Sequence, residues 1–295
     1  MTGALAGRVA IVTGAGRGLG REHALLLAAE GARVVVNDRG GLADGSGVAD
    51  AGPAAAVVEE IRAAGGEAVA NGDDVADWDG ARRLVAAAVE SFGALHVLVN
   101  NAGILRDRFL VNMTAEEWDG VVRVHLRGHF APTRWAAAYW RDQAKAGGPP
   151  LKASVVNTSS TSGLLGNPGQ ANYGAAKAGI AAFTVIAAAE LKRYGVRVNA
   201  IAPMARTRLT EATPGWEDMI RRPDDPAAFD AWDPANVSPV VAWLATESCA
   251  VSGQVFYVHG GEVKMFSPWA IGSGVERDGR WTVADLAAAF AAPPA

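Results

Sequence analysis

The chain has one cysteine, no concentrated positive charge and no long hydrophobic run. Cys249 stands alone among 295 residues, so no intrachain disulfide can form. A net charge of −4 without a basic run argues against nucleic acid or an anionic membrane surface as a general partner. The five histidines show no metal-ligand spacing and there is no cysteine cluster, so no metal site is expected. The longest apolar run, Ala178 to Ala189, is interrupted by Thr184 and falls short of the ~20 residues that cross a bilayer. The first strand is expected from Arg8, leaving no room for a signal peptide. The chain closes on Pro293-Pro294-Ala295 rather than on a peroxisomal address, and a cytoplasmic protein is expected.

What is present is an alternation of short apolar strands with alanine-rich helices. Strands are read at Arg8–Val12, Arg33–Asn37, Val97–Val99, Ala153–Asn157, Val196–Ile201 and Val255–Val258. Between them lie helical stretches at 21–30, 54–64, 79–92, 115–144, 171–193 and 234–247. This order calls for an α/β fold: a doubly wound parallel sheet of Rossmann type, covered by helices on both faces, with ligands at the carboxyl ends of the strands. At ~150 residues per domain, the length alone would suggest two domains. The motifs span one sheet, so a single domain over 1–261 is expected, followed by an extension over 262–295 packed on the same domain or on a neighbouring subunit. Within that extension, Thr282-Val283-Ala284-Asp285 has the form of a capping box opening a helix through Phe290. A glycine-rich surface loop is read at 40–53 and a plain connector at 143–152.

The first strand runs into Thr13-Gly14-Ala15-Gly16-Arg17-Gly18-Leu19-Gly20 and then a helix. Such a turn aims free backbone N–H groups and a helix N-terminus at phosphate. Gly14 serves the tight turn, Gly18 the close approach of a pyrophosphate and Gly20 the contact of helix with strand, and Gly16, Arg17 and Leu19 complete the loop. The second strand ends at Asp38, about 20 residues on, where a carboxylate can hold both ribose hydroxyls of an adenosine. A 2′-phosphate would meet a like charge there, which favours NAD over NADP. Arg17 pulls the other way, but the strand end fixes Asp38 beside the ribose and gives it the greater weight.

Tyr173 and Lys177 stand four residues apart on a predicted helix, thirteen residues after Ser160. At this spacing two side chains share a helix face. A phenol with an ordinary pKa near ~10 needs a fixed positive neighbour to act as a base at neutral pH.

These motifs together, TGAGRGLG (13–20), NNAG (100–103), Ser160 and YGAAK (173–177), make the chain resemble the short-chain dehydrogenase/reductase family from about Gly7 to Gly261. Further stretches look like the 3-hydroxyacyl-CoA dehydrogenase domain of peroxisomal multifunctional enzyme type 2 and its bacterial relatives: VVVNDRGG (34–41), NNAGILRDR (100–108), VHLRGHF (124–130) and GNPGQANYGAAK (166–177). The resemblance implies Tyr173 as general acid/base, Ser160 on the reacting oxygen, and Lys177 on the nicotinamide ribose while lowering the tyrosine pKa. It implies Asn101, Ala102, Gly103 and Pro203 along the cofactor groove, with Asp73, Asp74 and Val75 around the adenine. His125 stands where many members carry an asparagine of a proton relay, and either a relay or a backbone-bonded structural role is open to it. Trp216 and Trp232 fall in the stretch where the family keeps its substrate lid. A 3-hydroxyacyl-CoA substrate and a homodimer or homotetramer are implied. Steroid or other hydrophobic alcohols on the same machinery remain an alternative, as does a dinucleotide sensor without turnover.

Overall fold

The structure is a computed structural model that describes residues 3–47, 50, 52–147, 151–211, 215–225, 227–267 and 269–291. Parts of the expected 40–53 loop and of the 143–152 connector, and the terminal 292–295, lie outside the described residues. By contacts the chain divides into two compact units, Met1–Met265 and Phe266–Ala295.

The first unit is built on β1 (Val9–Thr13), β2 (Arg33–Asn37), β3 (Glu67–Asn71), β4 (Val97–Asn100), β5 (Ser154–Thr158), β6 (Arg197–Met204), β7 (Val255–His259) and β8 (Glu262–Met265). They form one eight-stranded sheet in the order β3-β2-β1-β4-β5-β6-β7-β8, parallel except for the β7–β8 pair. The order reverses direction between β1 and β4, and that switch point is where such sheets bind ligands. The central strands are buried on both faces, because helices cover both.

The helices are α1 (Gly18–Ala29), α2 (Gly52–Ala63), α3 (Trp78–Phe92), α4 (Ala115–Val122), α5 (Gly128–Lys145), α6 (Thr161–Leu165), α7 (Ala171–Leu191), α8 (Arg208–Glu211), α9 (Ser238–Ala245) and, in the second unit, α10 (Val283–Ala289). Thr282 and Asp285 cap α10 reciprocally, as their spacing predicts. One buried cluster joins α1, α2 and α9 to the sheet through Leu27, Val57, Ile61 and Leu244. A second, on the opposite face, gathers Leu84, Leu98, Trp140 and Val155.

Three features depart from the sequence reading. β3 was not predicted: Glu67-Ala-Val-Ala-Asn71 is a half-exposed edge strand whose two alanines carry little strand signal. β8 extends the sheet four residues past Gly261; it is exposed throughout and held by a tight hairpin at Gly260-Gly261. The stretch predicted as one helix over 115–144 is interrupted by a π turn at Arg123–Arg127, between α4 and α5. Pro132 lies inside α5 and has no N–H to bond the Gly128 carbonyl just after that turn.

The helical span from Ala171 to Tyr194 is long and apolar enough to cross a membrane by length and composition, contrary to the count made on the uninterrupted apolar run. Here it is a core helix: Ala176, Lys177, Ile180, Thr184 and Leu191 are buried where it packs on β5, β6, α4 and α6.

Candidate active site

The glycine turn is shaped by what cannot fit there. A Cβ on Gly14 would lie 2.7 Å from the Ala102 backbone, and one on Gly16 would lie 2.8 Å from Asp38 Oδ2. On Gly20 it would lie 2.2 Å from the Gly14 carbonyl oxygen. At Gly18 (φ +52°) only the Thr207 side chain comes near, at 3.6 Å, so the backbone faces open space. The NNAG loop is bolted to this turn: Asn101 and Ala102 donate their backbone N–H groups to Thr13 Oγ1 at 2.9 and 3.1 Å. Asn101 Nδ2 donates to the carbonyls of Thr13 and Gly14 at 3.0 and 3.1 Å.

Asp38 is fixed twice, accepting from the N–H of Gly16 at 2.8 Å and of Gly40 at 2.7 Å. Arg17 reaches the Gly41 carbonyl at 3.3 Å, so it is tethered along the loop rather than simply solvated. Around these groups runs a cleft of about 350 Å³. Of the predicted cofactor residues, Gly14, Arg17, Gly18, Leu19, Asp38, Asp73, Asp74, Val75, Asn101, Ala102 and Gly103 line it. Gly16 and Gly20 are packed within the turn, and Pro203 pairs with Val258 inside the sheet. Asp73 is paired with Arg83 at 2.6 Å and Asp74 with Arg123 at 2.9 Å and Arg39 at 3.7 Å. Sequence reasoning missed Thr207, Arg208, Arg39 and Arg123, which also line the cleft; Arg39 lies within the quoted VVVNDRGG stretch, and no motif marks the other three.

The reactive groups sit beside this cleft. Ser160, two residues past β5 and at the N-cap of α6, accepts from the Ser162 N–H at 3.1 Å, and its hydroxyl acts on the Tyr173 phenol. Lys177 is 2 % exposed and donates from Nζ to the Thr158 carbonyl at 2.6 Å. Its ammonium lies over the Tyr173 ring, 5.4 Å from the centroid. Burial pushes the Tyr173 phenol up to about 12, with the Ser160 bond pulling it down and the Asp107 charge adding to the rise. Burial pushes the Lys177 ammonium down to about 7. The expected lowering of the tyrosine by its lysine neighbour is therefore not seen here; desolvation of the phenolate is the largest influence on it.

His125 belongs to the π turn and meets Tyr173 edge-on, ring centroids 5.1 Å apart. Its Nε2 lies 2.8 Å from the Ile104 carbonyl and 3.1 Å from the Ile104 N–H, while Nδ1 is buried without a hydrogen-bond partner. Burial pushes the imidazole down to about 3, so it is neutral. The backbone bond considered for it is present, at Nε2. Gly103 is glycine because a Cβ there would lie 2.4 Å from this ring. Trp216 and Trp232 pack edge-on against one another, and Trp232 against His259, rather than along the cleft.

A glycine turn opening a helix, the twice-held Asp38 carboxylate and a Ser-Tyr-Lys set thus lie around one switch point. Residues 8–218 match the short chain dehydrogenase family. The chain belongs to that family. It is 49 % identical over 292 residues to the hydroxyacyl-CoA dehydrogenase ChsB1 of Mycobacterium tuberculosis, covering 96 % of this chain and 87 % of that one. It is 44 % identical over 259 residues to peroxisomal multifunctional enzyme type 2 of Mus musculus, covering 86 % of this chain but 32 % of that protein. A crystal structure of a short chain dehydrogenase from Mycobacterium avium superposes with a TM-score of 0.86 at 52 % identity, over 98 % of this chain and 95 % of that one. This short-chain dehydrogenase/reductase acts on CH–OH groups and uses NAD(P). The glycine turn, the twice-held Asp38 and the cleft arginines suit a dinucleotide.

Proposed function

We propose that the protein interconverts 3-hydroxyacyl-CoA and 3-oxoacyl-CoA thioesters with NAD as its dinucleotide. The substrate reading rests on the hydroxyacyl-CoA dehydrogenase named above, which matches this chain over nearly its whole length. The preference for NAD rests on Asp38, whose two backbone N–H bonds hold its charge where a 2′-phosphate would be repelled.

NAD, when bound, takes up or supplies the hydride. In the oxidation direction Tyr173 receives the carbinol proton, and in reduction it returns it. Ser160, whose hydroxyl acts on the phenol, holds the reacting oxygen beside it. Lys177 places a cation over the ring from a buried position and, through Thr158, ties α7 to the end of β5. Neutral His125 closes the wall behind the phenol and keeps Gly103 and Ile104 in register with it.

The test is NADH formation with a medium-chain 3-hydroxyacyl-CoA and, in parallel, a hydroxysteroid, each with NAD and with NADP. Turnover of the thioester with NAD is the expected result. Activity on the steroid alone, or with NADP alone, would overturn the substrate or nucleotide assignment while leaving the family chemistry intact.

A homodimer or homotetramer built on α4–α5 and α7 belongs to the same proposal. Trp118 and Phe130 on the first helical run and Val185 and Ile186 on the second leave large apolar side chains 39–57 % exposed. Sedimentation at micromolar concentration should show a multiple of the 30.4 kDa chain mass; a monomer alone would remove the assembly.

A further inference from the structure

Directly after β6 the chain turns over the glycine loop. The one side chain near the Gly18 Cβ position is that of Thr207, and Arg208 beside it lines the cleft together with Arg17. Neither Arg17 nor Arg208 has a salt bridge among the described residues, and the Asp38 carboxylate, whose charge acts on Arg208, is held by two backbone N–H groups. Guanidiniums that line a cleft beside the open backbone of a glycine turn can give an anion charge-assisted hydrogen bonds.

What keeps Thr207 and Arg208 there is Arg206. Its side chain is 10 % exposed and ion-paired with Asp230, itself 20 % exposed. Arg206 Nη1 donates to the Ile220 carbonyl at 2.7 Å, and the Arg206 backbone N–H donates to Trp232 at 2.7 Å. Asp230 also accepts from the Trp232 N–H at 3.0 Å. One half-buried ion pair thus pins the returning stretch around Trp232 to the residues that roof the cleft.

We propose that Arg206 is a positioning residue for the dinucleotide: through its ion pair with Asp230 it holds Thr207 and Arg208 across the cleft from Gly18 and Arg17, where Arg208 binds the dinucleotide's phosphates. The surface this forms is an anion clamp with one fixed arm on the glycine turn and one arm on the segment after β6. The inference rests on dinucleotide use by the family and not on the choice of acyl substrate.

The experiment is direct titration with NADH by nucleotide fluorescence, beside kcat measured at saturating dinucleotide, on the full chain. Arg208→Gln changes an exposed side chain and should weaken NADH about tenfold, the worth of one charge-assisted hydrogen bond. Arg206→Met should weaken it at least as much, Arg206→Lys should recover part of the loss, and the pH dependence of kcat should stay that of the parent. Asp230→Asn is the milder route to the same loss, and the Arg206→Met/Asp230→Asn pair should be no worse than Arg206→Met alone. Unchanged NADH affinity in a folded Arg208→Gln protein would sink the clamp. Equal losses in kcat and affinity in Asp230→Asn would sink the positioning role of Arg206. Failure of the parent to bind NADH would instead strike at the family's cofactor chemistry in this chain.

Discussion

Replacement of Tyr173 by phenylalanine is expected to cost roughly 10²–10⁴-fold in kcat, the range that a positioned general acid/base supplies. The ring stays, so its edge contact with His125 and the Lys177 ammonium over its face are preserved; only the hydroxyl is removed. NADH affinity and thermal stability should be close to those of the parent. Steady-state kinetics beside a binding titration checks this, and a Tyr173→Phe protein with parental kcat would remove the phenol from the chemistry. The high phenol pKa adds a sign. A tyrosine held up at about 12 is protonated at neutral pH, ready to give its proton to a ketone oxygen. Oxidation needs the phenolate, so its rate should climb as pH rises toward alkaline values, and reduction should not show that climb.

The second large effect is structural. Gly20→Ala puts a methyl group 2.2 Å from the Gly14 carbonyl oxygen and 2.6 Å from Asn101 Nδ2, in a turn where both neighbours are themselves bonded. Neither is the loose end of a flexible side chain, so α1 must move off the turn. Overpacking of this kind costs about 3 kcal/mol and should lower Tm by about 5 °C or more, with dinucleotide affinity falling together with it. Gly261→Ala, with nothing within 4 Å, is the control expected to be neutral. Thermal melts and NADH titration of the two variants decide it; parental behaviour of Gly20→Ala would mean that the turn is looser than drawn.

Much of the cofactor end was legible because it is local. Gly14 to Gly20, Asp38 and Asn101 to Gly103 lie at strand ends, and strand ends follow from apolar runs and glycines that a reader can see. Lys177 was legible as a partner of Tyr173, but the balance between them was not. Spacing places the ammonium beside the phenol, whereas the sign of the phenol's shift depends on how much water the surrounding elements exclude. The π turn holding His125 was hidden for a similar reason: 115–144 was read as one helix although Gly120, Gly128 and Pro132 lie within it, and the widened turn is a matter of which carbonyls find partners. β3 and β8 were invisible because one is an alanine-rich edge and the other has no buried face.

The sequence by itself determined six of the eight strands and their order, the glycine turn, the Ser160–Tyr173–Lys177 set and the family they belong to, since each is written in residues close along the chain. Only the tertiary structure decided that Thr207 and Arg208 roof the cleft, that Asp230 reaches Arg206 from 24 residues away, and that burial raises one titrating group while lowering another. Those outcomes depend on desolvation and on contacts between distant segments, and both come into being only when the sheet and its helices have packed.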